Sequence, residues 1–123
     1  MSFLNEVTLL GNLGKRPELG VFPDGTPVLR ISIATTERYT SKKGNIEENT
    51  IWHPVQITGR PAEVIAQYAD KGDKLLIKGK LKKNNYTDSQ GVVHAGYTVI
   101  ADKVLMVSSK RSTPPPDINE DQL

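Results

Sequence analysis

The sequence predicts an all-β domain, a five-stranded Greek-key barrel with one helix between its third and fourth strands. Three observations carry this reading. Four or five stretches either alternate apolar and polar residues with period two or form short apolar runs. One segment alone shows helical periodicity, and it follows the third of these runs. The 123-residue chain is long enough for one domain with a core and too short for two.

The elements follow in order. Glu6 to Gly11 is a short apolar strand, and Gly11-Asn12-Leu13-Gly14 reads as a turn after it. Phe22-Pro23-Asp24-Gly25-Thr26-Pro27 is a second turn. It leads into Val28 to Thr36, where Leu29, Ile31 and Ile33 oppose Arg30, Ser32 and Ala34. Residues 39–49 (YTSKKGNIEEN) read as a long polar loop before the third strand, Thr50 to Thr58. The helix spans Pro61 to Lys71: proline suits the first turn, and Ala62, Ile65 and Ala69, with Val64 and Tyr68, form an apolar stripe. Lys71 complements the helix dipole, and Gly72 is placed to stop it. The fourth strand, Lys74 to Lys82, alternates again. Residues 83–96 form a second long loop, and Tyr97 to Val107 closes the set. This order is the OB arrangement, whose curved face and long loops bind oligonucleotides or oligosaccharides.

One domain therefore covers residues 1–111, and residues 112–123 (STPPPDINEDQL) form a short proline-rich acidic tail without a core pattern, expected to be disordered. All 16 lysines and arginines lie in the first part against 11 acids, a balance of +5, whereas the tail holds three acids and no base. A basic body with an acidic end fits a polyanion binder, although a solvated surface with a frayed terminus has the same counts. Disulfides and thiolate metal sites are excluded because there is no cysteine. Neither a signal peptide nor a membrane-spanning run is read, so a cytoplasmic location is expected and the Asn85-Tyr86-Thr87 sequon is coincidental.

The most informative residue is Trp52, the single tryptophan. In the third strand Ile51, His53, Val55 and Ile57 share the apolar face, so Trp52 points outward with Thr50, Pro54, Gln56 and Thr58. A large outward aromatic implies something to stack on it. On the fourth strand Lys78, Lys80 and Lys82 form a cationic row at i, i+2 spacing, continued by Lys83. Such a row follows a phosphate backbone, though lysines also protect an edge strand. Tyr39 opens the first long loop and Tyr86 lies in the second, so three rings and a lysine row could line one groove. Arg30 and Arg38 are further phosphate candidates, and Tyr68 and Tyr97 are assigned to packing. Catalysis finds no support. His53 and His94 lie on different elements, nucleophile, P-loop and metal motifs are missing, and no cofactor or metal is expected. His53, on the inward side, reads as a hydrogen-bonded or subunit-contact imidazole.

Taken together, VTLLGNLGKRPEL, RISIATTE, TIWHPVQITGRPAEVIAQYADKGDKLLIKGKL, YTDSQG and ADKVLMV resemble the bacterial-type single-stranded DNA-binding proteins over about residues 3–108. The resemblance implies an OB fold and a homotetramer that wraps single-stranded DNA without sequence preference in replication, recombination and repair, in the cytoplasm and associated with the nucleoid. It also implies that Tyr39, Trp52 and Tyr86 stack bases and that His53 lies at a subunit contact. Three departures stand out. Thr58 occupies a position where a further aromatic is common, Pro54 stands where a basic residue is frequent, and the tail ends without the usual Pro-Phe tip. Docking of replication or repair proteins through Asp117, Glu120, Asp121 and Leu123 is therefore expected to be weakened or redirected. An OB-fold adaptor that assembles other proteins on DNA, or a nuclease on the same barrel, are the competing readings. The first would depend on the tail rather than on Trp52, and the second would need clustered carboxylates and a metal.

Overall fold

The computed structural model describes residues 3–108. The tail, residues 112–123, with the docking residues Asp117, Glu120, Asp121 and Leu123, lies outside the described residues. In chain order the elements are β1 (Val7–Leu13), β2 (Leu19–Val21), β3 (Pro27–Thr40), β4 (Ile46–Thr58), α1 (Arg60–Tyr68), β5 (Lys74–Thr87) and β6 (Val93–Ser108). The strands are ordered β1-β5-β6-β4-β3-β2, and an added β1–β3 pairing closes five of them into a barrel. This is the predicted architecture, with one short strand more. β2 pairs Leu19 with Leu29 on the edge of β3 where β1 pairs Leu13 with Ile33. β1 and β2 are thus one interrupted edge. The expected turn at Gly11–Gly14 begins later than predicted, because β1 continues to Leu13 and Gly14 N–H still donates to the Ser32 carbonyl.

The core consists of inward positions at period two along each strand, capped by the helix. Leu29, Ile33, Val55, Ile57, Leu75, Ile77 and Val104 are fully buried, with Ala62, Val64 and Ile65 of α1 packed on them. Gly79 is required where β5 bends against β6: a Cβ there would run into the Ile100 carbonyl. The register slips at this point, with Lys78 opposite Lys103 but Gly79 opposite Ala101, so Asp102 is the bulged residue.

Three expectations need correction. The stretches 39–49 and 83–96 are largely not loops. β3 and β4 pair from Val28–Thr58 out to Thr40–Ile46, and β5 and β6 pair out to Thr87–Val93, so each is a long two-stranded arm with a short turn. Their polar residues carry no inside–outside alternation because both faces of an arm meet water. The helix ends at Tyr68, short of Lys71. Ala69 is already extended yet fully buried, and Gly72, at φ +90°, belongs to the next turn rather than to the helix cap. That turn is built by two carboxylates: Asp73 Oδ2 accepts from Asp70 N–H at 2.9 Å, and Asp70 Oδ1 from Lys71 N–H at 2.7 Å. Such side chains compete with the helix for backbone donors. The inward set of the third strand is also only half in the core, because Ile51 lies on the arm and is exposed.

Candidate nucleic-acid interface

The β3–β4 register builds a continuous outward face from paired residues. Arg30 faces Gln56, Ser32 faces Pro54, Ala34 faces Trp52, Thr36 faces Thr50 and Arg38 faces Glu48. Pro54 sits on an edge rather than in a bulge: β4 meets β6 only at Val55 and Gln56, so the missing N–H of Pro54 interrupts no ladder. Trp52 is 56% exposed, as strand alternation predicted. Its indole is nevertheless held in place. Ala34 opposite leaves room for it, and the ring lies so close over Gly14 that a Cβ there would come within 2.5 Å of its six-membered ring. With Gly14 beneath it, the half-exposed indole is covered on one side and open on the other. Arg30 is also positioned, with its guanidinium carbon 5.5 Å from the centre of the Phe22 ring. Arg38 Nε lies 2.9 Å from Glu48 Oε1, and both side chains are exposed, so solvent screens this ion pair.

Tyr39 does not share that face. It is paired with Glu47, one position out of phase with Trp52, and its hydroxyl donates to Glu47 Oε2 at 3.0 Å. The pleat therefore places Tyr39 on the reverse side of the β3–β4 arm, in line with Thr35 and Ile33, and only the twist of the ribbon relates it to Trp52. His53 lies on this reverse side too, half-buried, with Nε2 2.8 Å from Thr35 Oγ1. Sequence alternation alone could have placed Tyr39 had the polar stretch been read as strand.

The second arm carries the lysines. Lys78, Lys80 and Lys82 alternate with Gly79 and Leu81, and the same phase continues through Asn84 to Tyr86. Lys83 falls on the other side, opposite Tyr97. Lys78 is the least available of the row, since its Nζ is 3.0 Å from Glu6 Oε1 at the barrel end. Tyr86 lies at the tip, stacked on His94 with centroids 5.0 Å apart and planes at 18°. Tyr97, expected to pack, is 58% exposed beside Lys83: it shares the phase of buried Val99 but lies out on the arm, beyond the core. Tyr68 does pack against the core. Among the described residues no group of His, Asp and Glu is arranged to hold a metal ion, and no helix is long and apolar enough to cross a membrane.

The model of the single-strand binding protein family matches residues 4–107, almost the whole barrel with both arms. The chain belongs to this family. Curated relatives agree. It is 36% identical over 112 residues to single-stranded DNA-binding protein 1 of Xylella fastidiosa, covering 90% of this chain and 82% of that one. It is 37% identical over 109 residues to the single-stranded DNA-binding protein of Bacteroides thetaiotaomicron, covering 87% and 68%. Among solved structures, the Plasmodium falciparum SSB in complex with single-stranded DNA superposes with a TM-score of 0.79 at 19% identity, over 88% of this chain and 98% of that one. A deletion mutant of the Thermus aquaticus single-stranded DNA-binding protein superposes with a TM-score of 0.73 at 25% identity, over 87% of this chain and 52% of that one. These structures share the OB fold predicted from the strand order.

Proposed function

We propose that this protein binds single-stranded DNA without sequence preference and protects exposed strands during replication, recombination and repair, as a binding protein and not an enzyme. The observation that carries the reading is Trp52, half-exposed, seated on Gly14, on a face that also presents Arg30 and Arg38. Bases of any identity stack on such a ring, and the arginines neutralise the phosphates on either side. Tyr86 with Lys80 and Lys82 continues the path along the second arm, with Lys78 at its barrel end. Lys83 and Tyr39 line the reverse faces, reached where the strand wraps around an arm. The proposed site is thus two arms with a ring on each, rather than one trough.

The wrapped form is proposed to be a homotetramer. Leu10, Leu76 and Leu105 are direct neighbours in the register across the outer face of β1, β5 and β6, and a hollow of about 220 Å³ beside them is lined by Thr8, Leu76, Lys78, Lys103 and Leu105. Such an apolar outer row favours a second copy of the chain, with His53 as a further subunit contact. The working location is the cytoplasm, with the nucleoid. The acidic tail, through Asp117, Glu120, Asp121 and Leu123, is proposed to touch replication or repair proteins.

A competition experiment tests this reading. A bound dT oligomer should be displaced by unlabelled mixed-sequence single strands but not by the same sequences as duplex, and the complex should sediment as a tetramer. Equal displacement by duplex would overturn the function, and a monomeric complex would overturn the assembly.

A further inference from the structure

At the tip of the β5–β6 arm one carboxylate holds two things at once. Asp88 Oδ1 accepts the backbone N–H groups of Gln90 and Val92 at 2.9 and 3.0 Å, which shapes the turn between the strands. Its Oδ2 lies 2.7 Å from His94 Nε2. An ionised carboxylate only accepts, so Nε2 carries a proton and Nδ1 is left to take a second. The His94 bond, followed by the Val92 and Gln90 amides, lowers the Asp88 carboxyl below its ordinary value, with desolvation opposing weakly. His94 in turn stands directly opposite Tyr86 in the register, its ring parallel to the phenol. The order of dependence runs from turn to carboxylate to imidazole to phenol.

We propose that His94 is a positioning residue for DNA binding: anchored by Asp88, it backs one face of Tyr86 so that the other face is presented, already oriented, to a base. The inference rests on the reading of Tyr86 as a stacking residue. A tyrosine at the end of an isolated two-stranded arm has no core to fix its ring, and each base stacked on it would have to immobilise it. A parallel ring held by its own hydrogen bond removes that cost before DNA arrives. Because one face is covered, Tyr86 takes a single base.

The test uses the full chain and a labelled dT oligomer in anisotropy titrations at fixed pH and salt. Tyr86→Ala and His94→Ala should each weaken binding by about two- to tenfold, the range of an aromatic pair. His94→Phe, which restores a flat ring behind the phenol, should bind within about twofold of wild type, the low end of that same range. The exposed arm tip lies outside the core cluster, so all variants should stay folded, which thermal melts check. Wild-type binding with no loss in His94→Ala would overturn this inference alone, as would a loss in His94→Phe equal to that in His94→Ala. Failure of the wild-type chain to bind the oligomer would overturn the function as well.

Discussion

Removing the Trp52 ring isolates the largest single contribution this account assigns to one side chain. The indole is more than half exposed, so Trp52→Ala opens no core cavity, and what folding loses is a cross-strand pair with Ala34 and a contact over Gly14, about 0.2–1 kcal/mol. Binding loses a stacking platform, about 1–3 kcal/mol per base. At ~1.4 kcal/mol per decade that is roughly a 5- to 150-fold loss, and at least about tenfold is expected because the ring is held in place before binding. The variant has no tryptophan left, so the assay is anisotropy of a 5′-labelled dT oligomer at fixed salt, with thermal melts of both proteins alongside. Trp52→Phe, which keeps a smaller ring, should fall between the two. Superimposable isotherms for wild type and Trp52→Ala, with both proteins folded, would refute the reasoning and remove this face of the β3–β4 arm from the interface.

Gly14→Ala should weaken binding without altering any charge, because the new methyl group displaces the indole from its seat, and a shifted tryptophan emission in the free protein reports the displacement. An unchanged spectrum and affinity would show that the seat does not matter. Replacing Lys80, Lys82 and Lys83 together by alanine should lower the salt slope by about 0.7 decade per decade of salt for each lost phosphate contact, about two in all. Lys78→Ala alone should do less, since Glu6 already neutralises it. An unchanged slope in the triple variant would reject the lysine assignment. Asp88 supplies an acid-side prediction. Its native carboxyl is lowered from the ordinary 3.8, chiefly by His94, so its contribution to stability is present above that value and lost as pH falls through the lowered native one. Melts between about pH 2 and 5 should therefore fall less steeply for Asp88→Asn than for wild type, and equal slopes would contradict the assignment.

The barrel was legible because its strands have an inside and an outside: Leu29, Ile31 and Ile33 alternate with Arg30 and Ser32, and those three are buried. The arms were not legible for the same physical reason. Residues such as Glu37, Glu47, Lys83 and Asn85 stand on ribbons with water on both faces, so no alternation distinguishes strand from loop. Misreading the arms also hid the phase of Tyr39, which a strand register places at once. The helix end was missed because Ala69 continues the apolar stripe while Asp70 and Asp73 capture the next amide groups. Within the site, the outward direction of Trp52 followed from period two alone. Its seat on Gly14 did not, since it joins residues 38 positions apart in the chain through the β1–β3 closure. The pairing of Tyr86 with His94 likewise depends on the register of an arm read as a loop.

Titrating the intact protein with matched oligonucleotides, while following the emission of its lone indole, probes the central claim most directly. A base lying on Trp52 should quench that emission in proportion to bound single strand, and the same sequence as duplex should leave it unchanged. Emission that stays constant while single-stranded DNA binds would contradict the account, because the strand would then be gripped somewhere other than on this ring.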